Sequence, residues 1–362
     1  MFKINFFDFI LLTIKQAIEI LYHKNIQMKK ILLIDPGKGW GNFVSKLYCY
    51  QHLSEAMDSK IIFFTKKSTQ AKHYLDALSF CNEVIYMEEN KRGLSNIIIN
   101  IISFYKNILI IKNAQVNKCF IFHPSLRYVL LAKFAKIKNI WGLGFKFQNF
   151  FLEKNKKLYS NYKSKSFQDN ETLEFVKKIT NKNDINFRPI YKNDLLKKET
   201  VGIIIAASGY EKRWNLDNYI EVINFLKKKG FKKFLIISGK DQSQDENVIK
   251  EKFQNKLEFI FTANKKIKDV IPHLKLCKFC IGNDTGFAHL SINFNIETII
   301  IYGDCPPQNY SNLMHNVDID KSVVRSSTSI HSIKVEKVLG ELSIFLNGRG
   351  GRVVEGARLE SV

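Results

Sequence analysis

Short apolar runs alternate along the chain with longer polar stretches of helical spacing. The runs lie at residues 31–34, 61–64, 83–87, 108–111 and 119–122 in the first half, and at 201–206, 233–239, 257–261, 279–282 and 297–303 in the second. Short runs rich in Ile and Phe are typical of parallel strands that helices cover on both faces. The pattern therefore predicts an α/β fold in which strands alternate with crossover helices.

A polar stretch at residues 153–200 divides this alternation into two series, and it contains one segment of helical spacing, 171–180. In the second series the spacing predicts helices over 215–229, 244–254, 267–276 and 286–294. Because the alternation restarts, we predict two Rossmann-like, doubly wound domains that face each other across a cleft. Their predicted boundaries are 28–190 and 199–345.

Both ends of the chain depart from the pattern. Residues 1–27 are apolar but carry Asp8, Lys15 and Glu19, and they lack the features of a signal peptide. We interpret them as an amphipathic helix on a membrane or on the protein body, or as an artefact of start-site assignment. Residues 346–362 contain no Lys but three of the eight Arg, which favours a foreign or read-through tail.

The chain of 362 residues has a formal net charge of +22. A phosphorylated substrate, a membrane surface or a nucleic acid would suit this charge, and coding bias is the alternative, because 48 of the 56 basic residues are Lys. Arg, which usually makes bidentate phosphate and base contacts, is scarce, so the composition does not favour nucleic-acid binding.

Six scattered Cys in a chain of this length indicate a reducing compartment rather than a disulfide framework. Cys277 and Cys280 have the CxxC spacing, but neither a second Cys pair nor a nearby His pair completes a zinc site. We therefore predict no metal site, and we interpret Cys280 as a small apolar residue of a strand.

Candidate chemistry lies where predicted strands end, since ligands of open α/β sheets bind beyond the carboxyl ends of the strands. The loop DPGKGWGNF, 35–43, places Gly39 and Gly41 where a backbone could approach a ligand; a tight strand-to-helix turn is the alternative. The loop AASGYEKRW, 206–214, brings Lys212 and Arg213 to a helix start, which suits an anion; a solvated surface charge pair is the alternative.

Two further loops end strands of the second series. The loop SGKDQSQDE, 238–246, is explained mostly by capping of the following helix. The loop GNDTG, 282–286, begins a helix whose first amides and Thr285 hydroxyl could hold a phosphate, while Asp284 could accept hydrogen bonds from sugar hydroxyls. His289 follows one turn later, on the face of Thr285. A helix cap and a structural His are the alternatives.

Together these loops resemble the ADP-heptose:lipopolysaccharide heptosyltransferase family, glycosyltransferase family 9. Its motifs are matched in order by ILLIDPGKGWGN, AASGYEKRW and GNDTGFAHL, and a strand ending in YGD, 302–304, follows the third. The resemblance covers about residues 28–345. It implies the GT-B fold, a nucleotide-diphosphate-heptose donor held mainly by the C-terminal domain, and metal-independent inverting transfer.

The resemblance also implies roles for individual residues. Lys212, with Arg213 beside it, would neutralise the donor diphosphate; Asp284, Thr285 and Gly286 would hold the donor sugar and phosphates; and His289 would support the diphosphate. It further implies no cofactor, ADP-heptose as donor, a lipid-linked oligosaccharide acceptor, and a cytoplasmic enzyme at the inner face of the cytoplasmic membrane.

One residue departs from the family pattern. The family usually has Gly-Asp at the end of the first loop, and that Asp is the expected base, whereas this chain has Gly41-Asn42. An amide does not accept a proton at neutral pH, so Asp35 at the start of the loop becomes the alternative base. Two further hypotheses stay open: another nucleotide sugar used for a surface glycan, and a degenerate relative that binds a sugar nucleotide without catalysis.

Overall fold

The computed structural model describes residues 29–37, 39–76, 78–91, 93–159, 171–191, 199–254 and 256–357, with the backbone alone for residue 94 and residues 349–357. The apolar segment 1–27 lies outside these residues. The described chain forms two compact units. The first comprises residues 29–36, 50–67 and 75–182, and the second comprises residues 37–49, 68–74 and 183–357.

The first half of the described chain contains five strands and seven α-helices. The strands are β1 (Lys30–Ile34), β2 (Lys60–Thr65), β3 (Cys81–Tyr86), β4 (Lys118–Ile121) and β5 (Asn139–Gly142). The helices are α1 (Trp40–Val44), α2 (Leu47–Met57), α3 (Lys72–Leu75), α4 (Ile97–Asn113), α5 (Leu126–Phe134), α6 (Gln148–Phe151) and α7 (Glu171–Thr180). Short 3₁₀ turns at Lys67–Thr69, Leu94–Asn96 and Lys154–Lys156 join some of them.

The first sheet is parallel throughout, with strand order β3-β2-β1-β4-β5. Its central strand, β1, has four consecutive buried residues after Lys30, as expected for a strand covered on both faces. The order reverses between β1 and β4, so the sheet is doubly wound, as the alternation of apolar runs predicts.

The prediction of a strand at 108–111 is wrong, because these residues lie in the last part of helix α4. Apolar residues occur on both faces of this 17-residue helix, so a four-residue window resembles a buried strand. Strand β5, only four residues long and beginning with Asn139, was not predicted.

The described part of the second half contains six strands and five α-helices. The strands are β6 (Thr200–Ile204), β7 (Lys233–Ile237), β8 (Glu258–Phe261), β9 (Cys277–Asn283), β10 (Thr298–Tyr302) and β11 (Met314–Asp318). The helices are α8 (Leu216–Lys228), α9 (Ser243–Phe253), α10 (Ile267–Lys275), α11 (Gly286–Asn293) and α12 (Val335–Ala357). The 3₁₀ turns are Tyr210–Lys212, Lys240–Gln242 and Ser329–Ser332.

The second sheet is also parallel, with strand order β11-β10-β9-β6-β7-β8. Counted from β6, this is the order 3-2-1-4-5-6 of dinucleotide-binding sheets, and it reverses between β6 and β9. The core on one face joins β6, β9 and β10 to α8 and α12, through side chains such as Val222, Phe279 and Val338. The polar edge strand β11 was not predicted, because only Val317 in it is buried.

The predicted α/β class and doubly wound sheets are confirmed. Helix α7 has the predicted bounds, and α8 to α11 agree with the prediction within one residue at each end. Among the described residues, no helix has the length and apolar character needed to cross a bilayer.

Candidate active site

The candidate site lies where the strand order of the second sheet reverses. Strands β6 and β9 are neighbours there, and they end in the loops 205–213 and 284–286. Gly282 lets the two strands approach, because a Cβ at this position would lie 2.1 Å from the carbonyl oxygen of Ile204. The first Gly of GNDTG is therefore required by packing of the sheet, and it brings the two loops side by side.

Asn283 connects the two loops by hydrogen bonds. Its Oδ1 accepts from the backbone N–H of Trp214, at 3.2 Å, and from the Tyr219 hydroxyl, at 2.8 Å. Its Nδ2 donates to the carbonyl oxygen of Ile205 at 3.0 Å. A buried amide that makes these three bonds holds the loop after β6 against the loop after β9.

Asp284, His289 and Tyr310 form a chain of hydrogen bonds. The Nε2 atom of His289 lies 2.9 Å from Oδ1 of Asp284, and Nδ1 lies 2.8 Å from the Tyr310 hydroxyl. His289 is only 3% exposed, and Tyr310 is stacked on Tyr48 with ring centroids 5.5 Å apart. Both ring nitrogens are thus engaged inside the protein, and they fix the orientation of the Asp284 carboxylate.

The Asp284 carboxylate stays ionised despite its burial. Desolvation alone would raise its pKa, but the hydrogen bond and charge interaction with His289 and a hydrogen bond from the Cys305 thiol, 3.1 Å from Oδ2, lower the pKa below its ordinary value. Because an ionised carboxylate only accepts hydrogen bonds, Nε2 of His289 carries the proton that they share. Burial and the negative charge of Asp284 raise the pKa of the Cys305 thiol, which remains protonated.

Thr285 is the N-cap of helix α11, but its side chain does not cap the helix. Its Oγ1 is buried and has no hydrogen-bond partner among the described residues. The first hydrogen bond of the helix runs from His289 N–H to Thr285 C=O at 3.2 Å, so the three amides of residues 286–288 precede that ladder. A helix start with an unpartnered hydroxyl suits a ligand that accepts hydrogen bonds.

Gly286 lies directly beneath the indole of Trp40, which an added Cβ would approach to 2.4 Å. A Cβ on Gly41 would lie 3.2 Å from the backbone nitrogen of Gly286. Helix α1 therefore packs on helix α11 through two glycines and an indole, and residues 37–49 belong to the second compact unit. Gly39, the N-cap of α1, has open space around it.

The two predicted cations are both paired with carboxylates. Lys212 forms a hydrogen-bonded ion pair with Asp304, and the hydrogen bond raises the pKa of Lys212. Arg213 pairs with Asp241, whose pKa is lowered by that bond. The charge on Lys212 also helps to lower the pKa of Asp284, which places Lys212, Asp304 and Asp284 in one electrostatic cluster. Arg213 points instead to the loop that follows β7.

The predicted catalytic residues of the first loop have different surroundings. Asp35 directly follows β1 and is 2% exposed. Its Oδ2 accepts a hydrogen bond from the Tyr50 hydroxyl at 2.5 Å, and its carbonyl oxygen accepts one from the Thr65 hydroxyl at 2.6 Å. Asn42 lies on α1 with its side chain exposed to solvent. The carboxylate is thus enclosed in the first unit, whereas the amide is accessible.

The sequence did not identify three residues of the site: Asn283, Asp304 and Tyr310. Asn283 and Asp304 were within quoted motifs, GNDTG and YGD, and only the contacts reveal their partners. Among the described residues no cluster of three or more His, Cys, Asp or Glu side chains is suited to hold a metal ion. Cys277 and Cys280 are free thiols in strand β9, and Cys280 is fully buried beside Gly202, as expected of an apolar strand residue.

The sequence profile of glycosyltransferase family 9 (heptosyltransferase) matches residues 128–338, more than half of the chain. The chain belongs to this family. The resemblance to this family is thereby confirmed, and so is the assignment to the glycosyltransferases; the matched residues include the loops 206–214 and 282–286. Among curated proteins, none has significant sequence similarity to the chain.

Solved structures of family 9 heptosyltransferases share the fold. The Escherichia coli ADP-heptose lipopolysaccharide heptosyltransferase II is 16% identical, with a TM-score of 0.67, over 89% of this chain and 99% of that one. The Veillonella parvula family 9 glycosyltransferase is 16% identical, with a TM-score of 0.66, over 88% of this chain and 97% of that one. Escherichia coli WaaC with ADP is 13% identical, with a TM-score of 0.63, over 87% and 99% of the two chains. These similarities confirm the GT-B fold.

Proposed function

We propose that this family 9 glycosyltransferase transfers a heptose from ADP-heptose to a lipopolysaccharide core acceptor, with inversion and without a metal ion. The acceptor would be lipid-linked, so the enzyme would work in the cytoplasm at the inner face of the cytoplasmic membrane. Family membership supports the reaction class, and the similarity to solved heptosyltransferases, one named for ADP-heptose and one holding ADP, supports the donor.

The observation that carries the proposal is the buried, unpartnered Thr285 hydroxyl at the start of α11. An unpaired polar atom at such a position costs free energy, about 1–3 kcal/mol, unless a ligand or water completes it. A donor phosphate would accept hydrogen bonds from this hydroxyl and from the first backbone amides of the helix. The ionised Asp284 beside it would accept hydrogen bonds from the hydroxyls of the donor sugar.

Lys212 would stabilise the leaving group. In inverting transfer an acceptor oxygen attacks the anomeric carbon of the donor, the bond from that carbon to the diphosphate oxygen breaks, and ADP departs with the bonding electrons. The negative charge that grows on the diphosphate needs a cation in a metal-free reaction, and Lys212 supplies one at the site. The hydrogen bond to Asp304 raises the pKa of Lys212 further, so Lys212 would meet the donor as a cation.

The acceptor hydroxyl must lose its proton at the same time. The chain offers two candidates for the group that takes this proton or orients the hydroxyl. The Asp35 carboxylate is chemically able to act as a base, but it is buried and accepts the Tyr50 hydroxyl. Asn42 is accessible but is an amide, which could orient an acceptor and not take its proton. We propose that transfer is limited by this step.

A donor screen by calorimetry, followed by transfer assays with core oligosaccharide acceptors read by mass, tests the proposal. We expect ADP-heptose to bind more tightly than UDP-linked sugars, and transfer to continue in EDTA. Preference for another nucleotide sugar would instead support a surface-glycan transferase. Absence of both ADP-heptose binding and transfer would refute the proposed function.

A second candidate is a family member that binds the donor without transferring the sugar, and the exposed amide of Asn42 favours it. The variant Asn42→Asp separates the two. If a base is the only missing part, the variant should raise the transfer rate about 10²-fold, within the usual contribution of a general base. Measurable transfer by the unaltered chain excludes the non-catalytic candidate, whereas transfer by the variant alone establishes it.

A further inference from the structure

Helix α4 in the first unit exposes its apolar residues to solvent. Ile98, Ile101, Ile102, Tyr105 and Leu109 follow the spacing i, i+3, i+4, i+7 and i+11, so they form one stripe along the helix. Ile98 is 73% exposed and Ile101 is 64% exposed. Single exposed apolar residues are ordinary, but an apolar stripe three turns long indicates a surface that binds another protein or a membrane.

The opposite face of α4 packs on the core of the first unit through Ile111, and it also carries two buried polar residues. Ser103 and Asn107 are buried there, and Asn107 makes two hydrogen bonds of 2.9 Å with the backbone N–H and C=O of Glu88. The internal polar groups are therefore satisfied. The outward apolar face is a separate property of the helix, since the fold does not need it for its core.

The apolar surface continues onto the two helices that pack next to α4. Phe134 on α5 is exposed and contacts Phe104 of α4 with ring centroids 6.2 Å apart. Helix α6, which packs on α5, exposes Phe147 and Phe150. We name these residues and the stripe together the α4–α6 surface. All of it lies within the first compact unit.

Basic residues are concentrated in the same segment. Residues 97–157 contain eleven Lys and Arg and a single acidic residue, Glu153, so this stretch of 61 residues contributes +10 to the total of +22. Lys106 and Lys112 lie on α4 itself, exposed, and Lys133 lies on α5 beside Phe134. Glu88 and Glu89 are the exposed carboxylates that precede this segment. Apolar side chains surrounded by lysines complement an interface of acyl chains and anionic headgroups.

We propose that the α4–α6 surface docks the protein on an anionic lipid bilayer, with the α4 stripe and the exposed Phe side chains in the headgroup–acyl boundary. The surrounding lysines contact the anionic headgroups. This deepens the proposed function, on which the membrane setting rests, by naming the surface that meets the bilayer. Its test is separate from that of the donor site, because every residue of the α4–α6 surface lies in the first unit, whereas the candidate donor site lies in the second. Whatever sugar is transferred, the acceptor would be met at a bilayer surface.

Co-sedimentation of the full chain with vesicles tests the docking. We expect the unaltered protein to bind vesicles of phosphatidylethanolamine and phosphatidylglycerol at least about tenfold more tightly than vesicles of phosphatidylcholine, and high salt to weaken the binding. The double variant Ile98→Glu/Ile101→Glu should reduce binding to the anionic vesicles by about tenfold or more. The double variant Lys106→Glu/Lys112→Glu should reduce it by at least about fivefold for each lysine, and only on anionic vesicles.

Matched controls keep the result interpretable. Val324 and Ile344 are 87% and 68% exposed in the second unit, so Val324→Glu/Ile344→Glu adds the same two charges elsewhere and should leave vesicle binding unchanged. Circular dichroism and nucleotide-sugar binding should be unaltered in all these variants, since each replaces an exposed side chain far from a core. Equal binding to the two vesicle types, or no binding, would overturn the proposal. So would a dimer in analytical ultracentrifugation that Ile98→Glu/Ile101→Glu disperses, because the surface would then bind a second copy.

Discussion

Two carboxylates occupy comparable places in the two sheets. Asp35 directly follows β1 and Asp284 directly follows β9, and each of these strands borders the point where the order of its sheet reverses. Asp35 is enclosed and accepts a tyrosine hydroxyl. Asp284 accepts hydrogen bonds from an imidazole and a thiol and lies next to an unpartnered threonine hydroxyl. The charge of Lys212 also lowers its pKa.

The comparison shows that carboxylates at similar strand ends of the two sheets can have very different surroundings. Asp35 and Tyr50 form a neutral-donor hydrogen bond within a packed unit, which stabilises the fold. Asp284 belongs to a charged network and precedes Thr285, whose hydroxyl has no hydrogen-bond partner among the described residues. We therefore expect substitutions at the two positions to affect different measurements.

The largest contrast should be between Asp284→Asn and Asp35→Asn. The first removes the charge that the donor site is built around and should lower kcat/KM by about 10²-fold or more. The second should leave donor affinity unchanged and lower the free energy of unfolding by about 1–2 kcal/mol. Steady-state kinetics, calorimetry and urea unfolding provide the three measurements. If Asp35→Asn instead lowers kcat by about 10²-fold at unchanged donor affinity, Asp35 is the base.

Lys212→Ala should weaken binding of the nucleotide-sugar donor by about tenfold, because one charged hydrogen bond to the diphosphate is lost. Lys240→Ala is the matched control, since Lys240 is an exposed lysine in the loop that follows β7. Titration calorimetry measures both. Equal affinities for the two variants would show that the diphosphate binds elsewhere.

Tyr310→Phe tests the far end of the Asp284 network. Losing the hydrogen bond to Nδ1 of His289 should lower the free energy of unfolding by about 1 kcal/mol and donor affinity by a few-fold. Tyr210→Phe removes an exposed hydroxyl and serves as the comparison. A purely structural role would change stability but leave donor affinity as in the unaltered chain.

The smallest effect concerns pH. The pKa of Asp284 is lowered in the folded protein, so its network stabilises the fold above the ordinary Asp pKa of 3.8, and this contribution is lost as the pH falls through the folded value. The stability difference between the unaltered chain and Asp284→Asn should therefore be largest near neutral pH and shrink below about pH 4. Thermal unfolding of both proteins across this range measures it. A difference independent of pH would mean that the charge of Asp284 is not responsible.

Much of the candidate donor site could be predicted because its residues are close in sequence. Asp284, Thr285 and His289 lie within one turn of helix and the strand end before it, so spacing alone places them together. Asp304 and Tyr310 were missed because they follow β10 and reach their partners, Lys212 and His289, only through the order of the sheet. The chain distance between partners, 21 residues for His289 and Tyr310, leaves no local pattern to detect.

The same limit explains the errors in the fold. Strand β5 has four residues and begins with a polar one, which is too short for a periodic signal. The run at 108–111 was misassigned because α4 is apolar on its exposed face as well as on its packed face. Sequence patterns report the burial of side chains, and a surface that is apolar for another reason is read as core.

The packing of Trp40 on Gly286 gives the protein an intrinsic optical signal. Because the Trp40 indole packs on the first residue of α11, we expect its emission to change if a nucleotide sugar binds at Thr285. Trp214, buried and bound through its Nε1 to the carbonyl oxygen of Ile333 at 2.7 Å, has a fixed environment and contributes a steady background. Occupancy of the site could thus be followed in a stopped-flow fluorimeter without a label.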